Sequence, residues 1–245
     1  MTKLLRPSVL AAAAFLLILI TQFPARWCRG LLPADVHCQQ LDGSLWSGHC
    51  DGLAAGGASW GNADWRLHPL YLLRGRLDVD LDLVRAGATV RGNLAAGLGS
   101  LIEVRDLDVR GLRLEQLPLT SLPRLHGLVQ ARIGAVRWSG GRIEALAGQV
   151  QAQGLTDAQG ERLGDYQLEF PADAAPGSDP TGVLRDIGGP LRVDGSLRLT
   201  REPGFELAGR VAARPEASPG LTDQIRYLGS PDADGMRPFS IAGTF

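Results

Sequence analysis

From Val36 onward the apolar positions recur with a period of two. Leu77, Val79, Leu81 and Leu83 alternate with Arg76, Asp78, Asp80 and Asp82. Ile102 and Val104, Leu107 and Val109, and Leu112 and Leu114 follow, with slips in phase that suggest bulges or turns. Later runs are Val129-Ala131-Ile133, Val136-Trp138, Tyr166-Leu168-Phe170, Leu191-Val193, Leu197-Leu199, Phe205-Leu207 and Phe239-Ile241. Strict alternation puts one face of a strand on a core and the other in water, the antiparallel pattern. The runs predict about a dozen short strands and an all-β, mostly antiparallel fold, either a strongly curved sheet or a β-sandwich.

A Gly-x-apolar unit repeats with the strands at Gly43, Gly75, Gly92, Gly195, Gly209 and Gly243. Glycine inside a strand marks a bulge, a bend or a close backbone approach, so the repeat favours a curved sheet of similar strands. Two segments break the period. Pro171 to Pro190 reads as a loop, with one helical turn at Val183 to Ile187. Residues 218–229 read as a short helix: Ser218 is the N-cap, Pro219 the first helical position and Gly229 the C′ residue. Leu221, Ile225 and Leu228 then share one face. Near the start, Ala34 to Leu53 reads as a β-hairpin turning at Asp42-Gly43, where positive φ is tolerated.

Before these strands, Lys3 and Arg6 precede an uncharged run from Pro7 to Ala25. As a helix it would span roughly 28 Å, close to the hydrocarbon thickness of a bilayer. A cleaved signal peptide fits poorly, because Phe23 stands where a small residue is needed before a cut after Ala25. The expected layout is a cytoplasmic tail at 1–6, a retained signal-anchor at 7–25 and a β-rich domain at 26–245 outside the cytoplasm.

The net charge of −1 and pI near 6.4 argue against a nucleic-acid partner. Asp78-x-Asp80-x-Asp82 resembles the start of a calcium loop, but Leu83 and Thr89 stand where glycine and an acid are required. Alternation with leucines makes it the wet face of a strand. His37-Cys38 and His49-Cys50 invite a metal, yet neighbours along a strand point to opposite faces. Cys38 and Cys50 alone can face each other across the hairpin. A disulfide, two free thiols and a metal site remain open for them, and Cys28 is the odd cysteine. His68 and His126 have no nucleophile or acid partner at a recognisable spacing, and Gly97-Leu98-Gly99 lacks the third glycine of a dinucleotide fingerprint. Trp60, Trp65 and Trp138 read as packing residues, not a ligand cage. Nothing in these residues supports catalysis or a cofactor.

Three blocks carry a family resemblance: Leu41-Asp42-Gly43-Ser44-Leu45-Trp46-Ser47-Gly48, Trp65-Arg66-Leu67-His68-Pro69-Leu70-Tyr71-Leu72-Leu73-Arg74-Gly75, and Tyr227-Leu228-Gly229-Ser230-Pro231-Asp232-Ala233-Asp234-Gly235. Together they resemble the type II secretion system protein N family. The resemblance implies a non-enzymatic, single-pass protein of the Gram-negative inner membrane with its bulk in the periplasm. It implies partners in the inner-membrane platform, including protein M, and in the outer-membrane secretin. Trp46, Gly48, Trp65, Pro69, Gly75, Gly229 and Gly235 are expected to be structural anchors. Two other readings compete. An open sheet with leucines on one face resembles the AsmA-like envelope proteins and would bind lipid or another hydrophobic ligand. An outer-membrane barrel ending at Phe245 would need longer strands than these runs supply.

Overall fold

The structure is a computed structural model. It describes residues 24–25, 35–97, 101–116, 125–173, 177–200 and 204–244. The expected anchor at 7–25 lies outside the described residues except for Pro24 and Ala25, as do Cys28 and Phe245. Among the described residues no helix is long and apolar enough to cross a membrane.

One antiparallel sheet of fourteen strands holds most of the described residues. The strands are β1 (Val36–His37), β2 (Gln40–Gly43), β3 (Ser47–Ala55), β4 (Ala58–Leu67), β5 (Arg76–Arg85), β6 (Ala88–Gly97) and β7 (Ile102–Arg113). They continue as β8 (His126–Ser139), β9 (Arg142–Thr156), β10 (Arg162–Phe170), β11 (Thr181–Gly188), β12 (Leu191–Thr200), β13 (Gly204–Ala213) and β14 (Arg237–Thr244). From β3 to β14 each strand pairs with its neighbours in sequence, and β1 and β2 both pair with β3. The first and last strands are not joined, so the sheet is open. The β-sandwich alternative therefore fails: there is one sheet, not two packed layers. The strands also outrun the short apolar runs. In β9, Gln149, Gln151 and Gln153 continue the alternation on the polar side over 15 residues.

Register carries the period of two across the whole sheet. Leu41, Cys50, Ala63, Leu83, Val90, Val109, Ala131, Val150, Leu168, Leu184, Gly195, Gly209 and Phe239 are successive cross-strand partners from β2 to β14. Every member of that row is apolar or glycine. One residue along, on the opposite face, the row begins Asp42, His49, Asp64, Asp82, Arg91, Asp108, Arg132, Gln149 and Glu169. Directly opposed partners point the same way, so the sheet has one apolar face and one charged face. Register shifts within the β3–β4, β6–β7, β7–β8, β8–β9, β9–β10 and β10–β11 pairs mark the bulges that bend such a sheet.

Among the described residues, little covers the apolar face. One end carries α2 (Pro219–Arg226), which inserts Leu221 and Ile225 against Leu191, Val193 and Val211. Ala88, Val109 and Leu112 form a second buried cluster. Along β9 only Leu155 is buried. Trp138, Ile102 and Ile241 keep 38%, 40% and 48% of their surface exposed. Glycines on this face seat aromatic rings: a Cβ on Gly243 would lie 2.8 Å from the ring of Phe205, its cross-strand partner. One carboxylate, Asp186, also points this way, opposite Tyr166. It is satisfied by the Arg214 guanidinium and by the Val193 N–H, which donates at 2.7 Å. Tyr166 donates its hydroxyl to the Leu163 carbonyl, and burial pushes its pKa up to about 12.

Three local expectations change. Val183 to Ile187 is the body of β11 rather than a helical turn, because Leu184 completes the apolar row while Val183 and Arg185 face the polar side. The hairpin closes over Ser44 to Trp46 instead of Asp42-Gly43, with Gly43 opposite Gly48 as the last paired residues. The helix begins as expected, with Ser218 accepting from the Leu221 N–H, but its C-cap is Tyr227, and Gly229 lies in the turn beyond.

Leu221→Ala should cost about 2–5 kcal/mol, because it opens a cavity beneath α2. Ser218→Ala should cost about 1 kcal/mol by removing the cap. Denaturant titration of the two variants checks the order.

Candidate functional site

The first and second motif blocks meet on adjacent strands. Gly48 on β3 is the cross-strand partner of Trp65 on β4. A Cβ at position 48 would lie 2.2 Å from Cζ2 of the Trp65 ring and 2.7 Å from the Asp42 carbonyl oxygen. Glycine is thus required by close approach, and the indole lies flat over bare backbone. Trp65 Nε1 donates to the Leu45 carbonyl at 3.1 Å, and the Leu67 N–H donates to the Trp46 carbonyl at 2.7 Å. Half-buried Trp46 sits in the loop itself. Cys38, in the bend between β1 and β2, is joined to Cys50 by a disulfide with Cα atoms 5.8 Å apart. The ladder partner of Cys50 is Leu41, so the bridge ties the bend to the sheet, not two opposed ladder positions.

At the end of β4 the chain leaves the sheet in a turn that the alternation does not foreshadow. Pro69–Leu72 form a single helical turn, α1, with Pro69 at its start. Gly75 closes it at φ +67°, its N–H donating to the Leu72 carbonyl. Leu70 and Leu73 are 74% and 84% exposed, and Tyr71 and Leu72 are also exposed. A proline at the first helical position and a glycine six residues after it were the available signal. An exposed apolar tip on a braced turn marks a contact surface more specifically than scattered surface leucines do.

Beneath α1 lies the charged face. His68, just before the turn, donates its backbone N–H to the Asp78 carbonyl at 2.9 Å. Its Nε2 lies 2.8 Å from Asp80 Oδ2. Asn93 donates Nδ2 to both Asp78 and Asp80, at 2.8 and 3.0 Å. Those bonds, the amide's first and the imidazole's second, hold Asp80 below its usual carboxylate range. The wet-face expectation for Asp78, Asp80 and Asp82 is therefore only partly met. Asp78 is 6% exposed, because the chain at His68 folds back over the end of β5. Farther along, Asp82 pairs with Arg91 at 2.8 Å. His49, Asp64, Arg66, Asp80, Asp82 and Arg91 line an open cleft of 810 Å³ on this face. His49 bridges two acids, Nδ1 to Asp64 at 2.7 Å and Nε2 to Asp51 at 3.0 Å. The Asp64 bond and then the Asp51 bond raise its pKa above the ordinary 6.5.

The third block forms a tight turn after α2. Asp232 accepts from the Asp234 and Met236 N–H groups at 2.9 Å and pairs with Arg210 at 3.0 Å. Those backbone donors, Met236 first, hold its pKa low. Gly229 and Gly235 take φ of +111° and +75° on either side of it. Met236 is 1% exposed and Tyr227 89%.

These packed motif blocks define an all-β module with a braced apolar turn and no assembled nucleophile among the described residues. The sequence model of the family described as "Type II secretion system (T2SS), protein N" matches residues 34–240. The chain belongs to that family. It is similar to the type II secretion system protein N of Vibrio cholerae serotype O1, 24% identical over 233 residues that cover 86% of each chain. No solved structure matches it significantly.

Gly48→Ala should destabilise the domain by about 3 kcal/mol, the upper range for overpacking; its denaturation midpoint measures this. His49 gives a pH signature. Its raised pKa means that the stability it contributes is fully present below about 6.5 and is lost as pH rises through the folded-state value. The melting temperature should fall modestly over that window in wild type, and less in His49→Gln. The lowered carboxylates act only at much lower pH and do not overlap this window.

Proposed function

We propose that this chain is a non-catalytic linking part of the type II secretion apparatus, held at the inner membrane by residues 7–25 with residues 26–245 in the periplasm. There it joins the inner-membrane platform, protein M included, to the outer-membrane secretin, and so supports export of folded proteins. In that oxidising compartment Cys38 and Cys50 stay paired. The observation that carries the reading is the Leu70–Leu73 turn. It offers apolar surface to a partner while a proline, a glycine and the His68 backbone bond hold its shape. Leu70 and Leu73 leave most of their apolar surface in solvent, which a partner would cover.

A second reading rests on a different observation, the part-covered apolar face from β5 to β10. There the chain would hold lipid or another hydrophobic ligand as a groove. Mass spectrometry of the domain purified without detergent separates the two: bound lipid supports the groove, and none retires it.

Leu70→Asp combined with Leu73→Asp should leave the melting temperature within a few degrees. It should reduce recovery of protein M and secretin with the tagged chain from envelope. Secreted substrates should then accumulate, folded, in the periplasm. Normal secretion and normal co-purification by that variant would overturn the assignment of this surface.

A further inference from the structure

We propose that His68, Asp78, Asp80 and Asn93 form a binding site for a divalent cation of the zinc type. Nε2 of His68 and one oxygen each of Asp78 and Asp80 lie within 4.8 Å of one another. Nε2 is 2.8 Å from Asp80 Oδ2 and 3.9 Å from Asp78 Oδ1. A tetrahedral zinc with ligands at about 2.0–2.2 Å holds them about 3.3–3.6 Å apart, and the observed separations bracket that range.

Two further observations favour a positively charged ligand here. Asp78 is a buried carboxylate whose hydrogen-bonding side chain is a neutral amide, while the nearby imidazole lies closer to Asp80. A buried charge is tolerated when it is paired or binds a metal. Arg66 and Arg105 act on this cluster through space, but Arg105 is engaged by Glu103. Independently, Asn93 Oδ1 is shut off from solvent and has no hydrogen-bond partner. The Asn93 amide directs its NH₂ to the carboxylates; turned over, it would present Oδ1 to them, which is favourable only with a cation between.

The scaffold is rigid. Asp78 and Asp80 share one face of β5, and Asn93 is the cross-strand partner of Asp80 on β6. One imidazole with carboxylates suits zinc, whereas calcium wants six or more oxygens. His49 makes the contrast, since both of its ring nitrogens are already taken by Asp64 and Asp51. Bound metal would pin His68, and with it the base of the Leu70–Leu73 turn.

The test uses the full-length chain in detergent, with a tag free of histidine, stripped by chelator and titrated with zinc against a chromophoric competitor. A single equivalent per chain is expected. His68→Gln and Asp78→Asn should each weaken binding about tenfold or more, and His49→Gln should leave it unchanged. No uptake by wild type at sub-millimolar zinc, or equal uptake by both variants, overturns the proposal. If the variants do not fold, diethyl pyrocarbonate labelling of wild type decides. Zinc should shield His68 while His37 and His126 still react, and equal labelling of His68 with and without zinc overturns the site.

Discussion

Register is the constraint on which everything else depends. A side chain changes face with each step along a strand, so a one-residue slip anywhere would turn a leucine row into the water and an aspartate row onto the apolar side. The unbroken row from Leu41 to Phe239 shows that no such slip survives across thirteen strands. Bulges take up each local mismatch. At the β6–β7 bulge Asp106 adopts φ of +49° so that Leu107 and Val109 return to phase. Single-sheet architecture makes this lock more important than in a sandwich, because no second layer can compensate for an error.

The charged face obeys the same rule and gains chemistry from it. Opposing like charges weaken a sheet, and Asp64 stands directly across from Asp82. His49 on one side and Arg91 on the other relieve that pair. Asp108 sits similarly beside Arg110 and Arg132, and the Arg110 bond, its largest influence, holds its pKa down. Most of these pairs are solvent-exposed and contribute little each. Where the chain folds back over the face, at His68, burial raises the stakes. That is also where an orphan amide oxygen is found.

Much of this was legible in the residues. Alternation through Leu77–Leu83, Val129–Ile133 and Tyr166–Phe170 announced strands, and Ser218-Pro219 announced a helix start. The family resemblance rested on three motif blocks, of which the first two are now seen to pack on one another, Gly48 beneath Trp65 and the Trp46 carbonyl on the Leu67 N–H. What could not be read was what covers a face. Asp78 and Asp82 look alike in sequence, yet one is buried by a turn from ten residues upstream. The glutamines of β9 hid its length, because they carry no apolar signal. Val183 to Ile187 sat between prolines and glycines and looked like a loop, and its alternation is weak, since Val183 faces the polar side and Asp186 the apolar side once β10 and β12 flank it. The pairing of Cys38 needed the bend between β1 and β2, which alternation does not encode.

Strand order along the sheet follows strand order along the chain almost throughout. Contacts are therefore close in sequence, and the loop-closure cost of each new pairing is small. A chain that emerges from its N-terminus can add strands to a growing edge one hairpin at a time, without waiting for its last residues. The same geometry works in reverse. Tension applied between the two edges is borne by one strand pair after another, so the domain can yield by steps and re-form by steps. A sheet built this way gains compliance from being a zipper and not a closed shell.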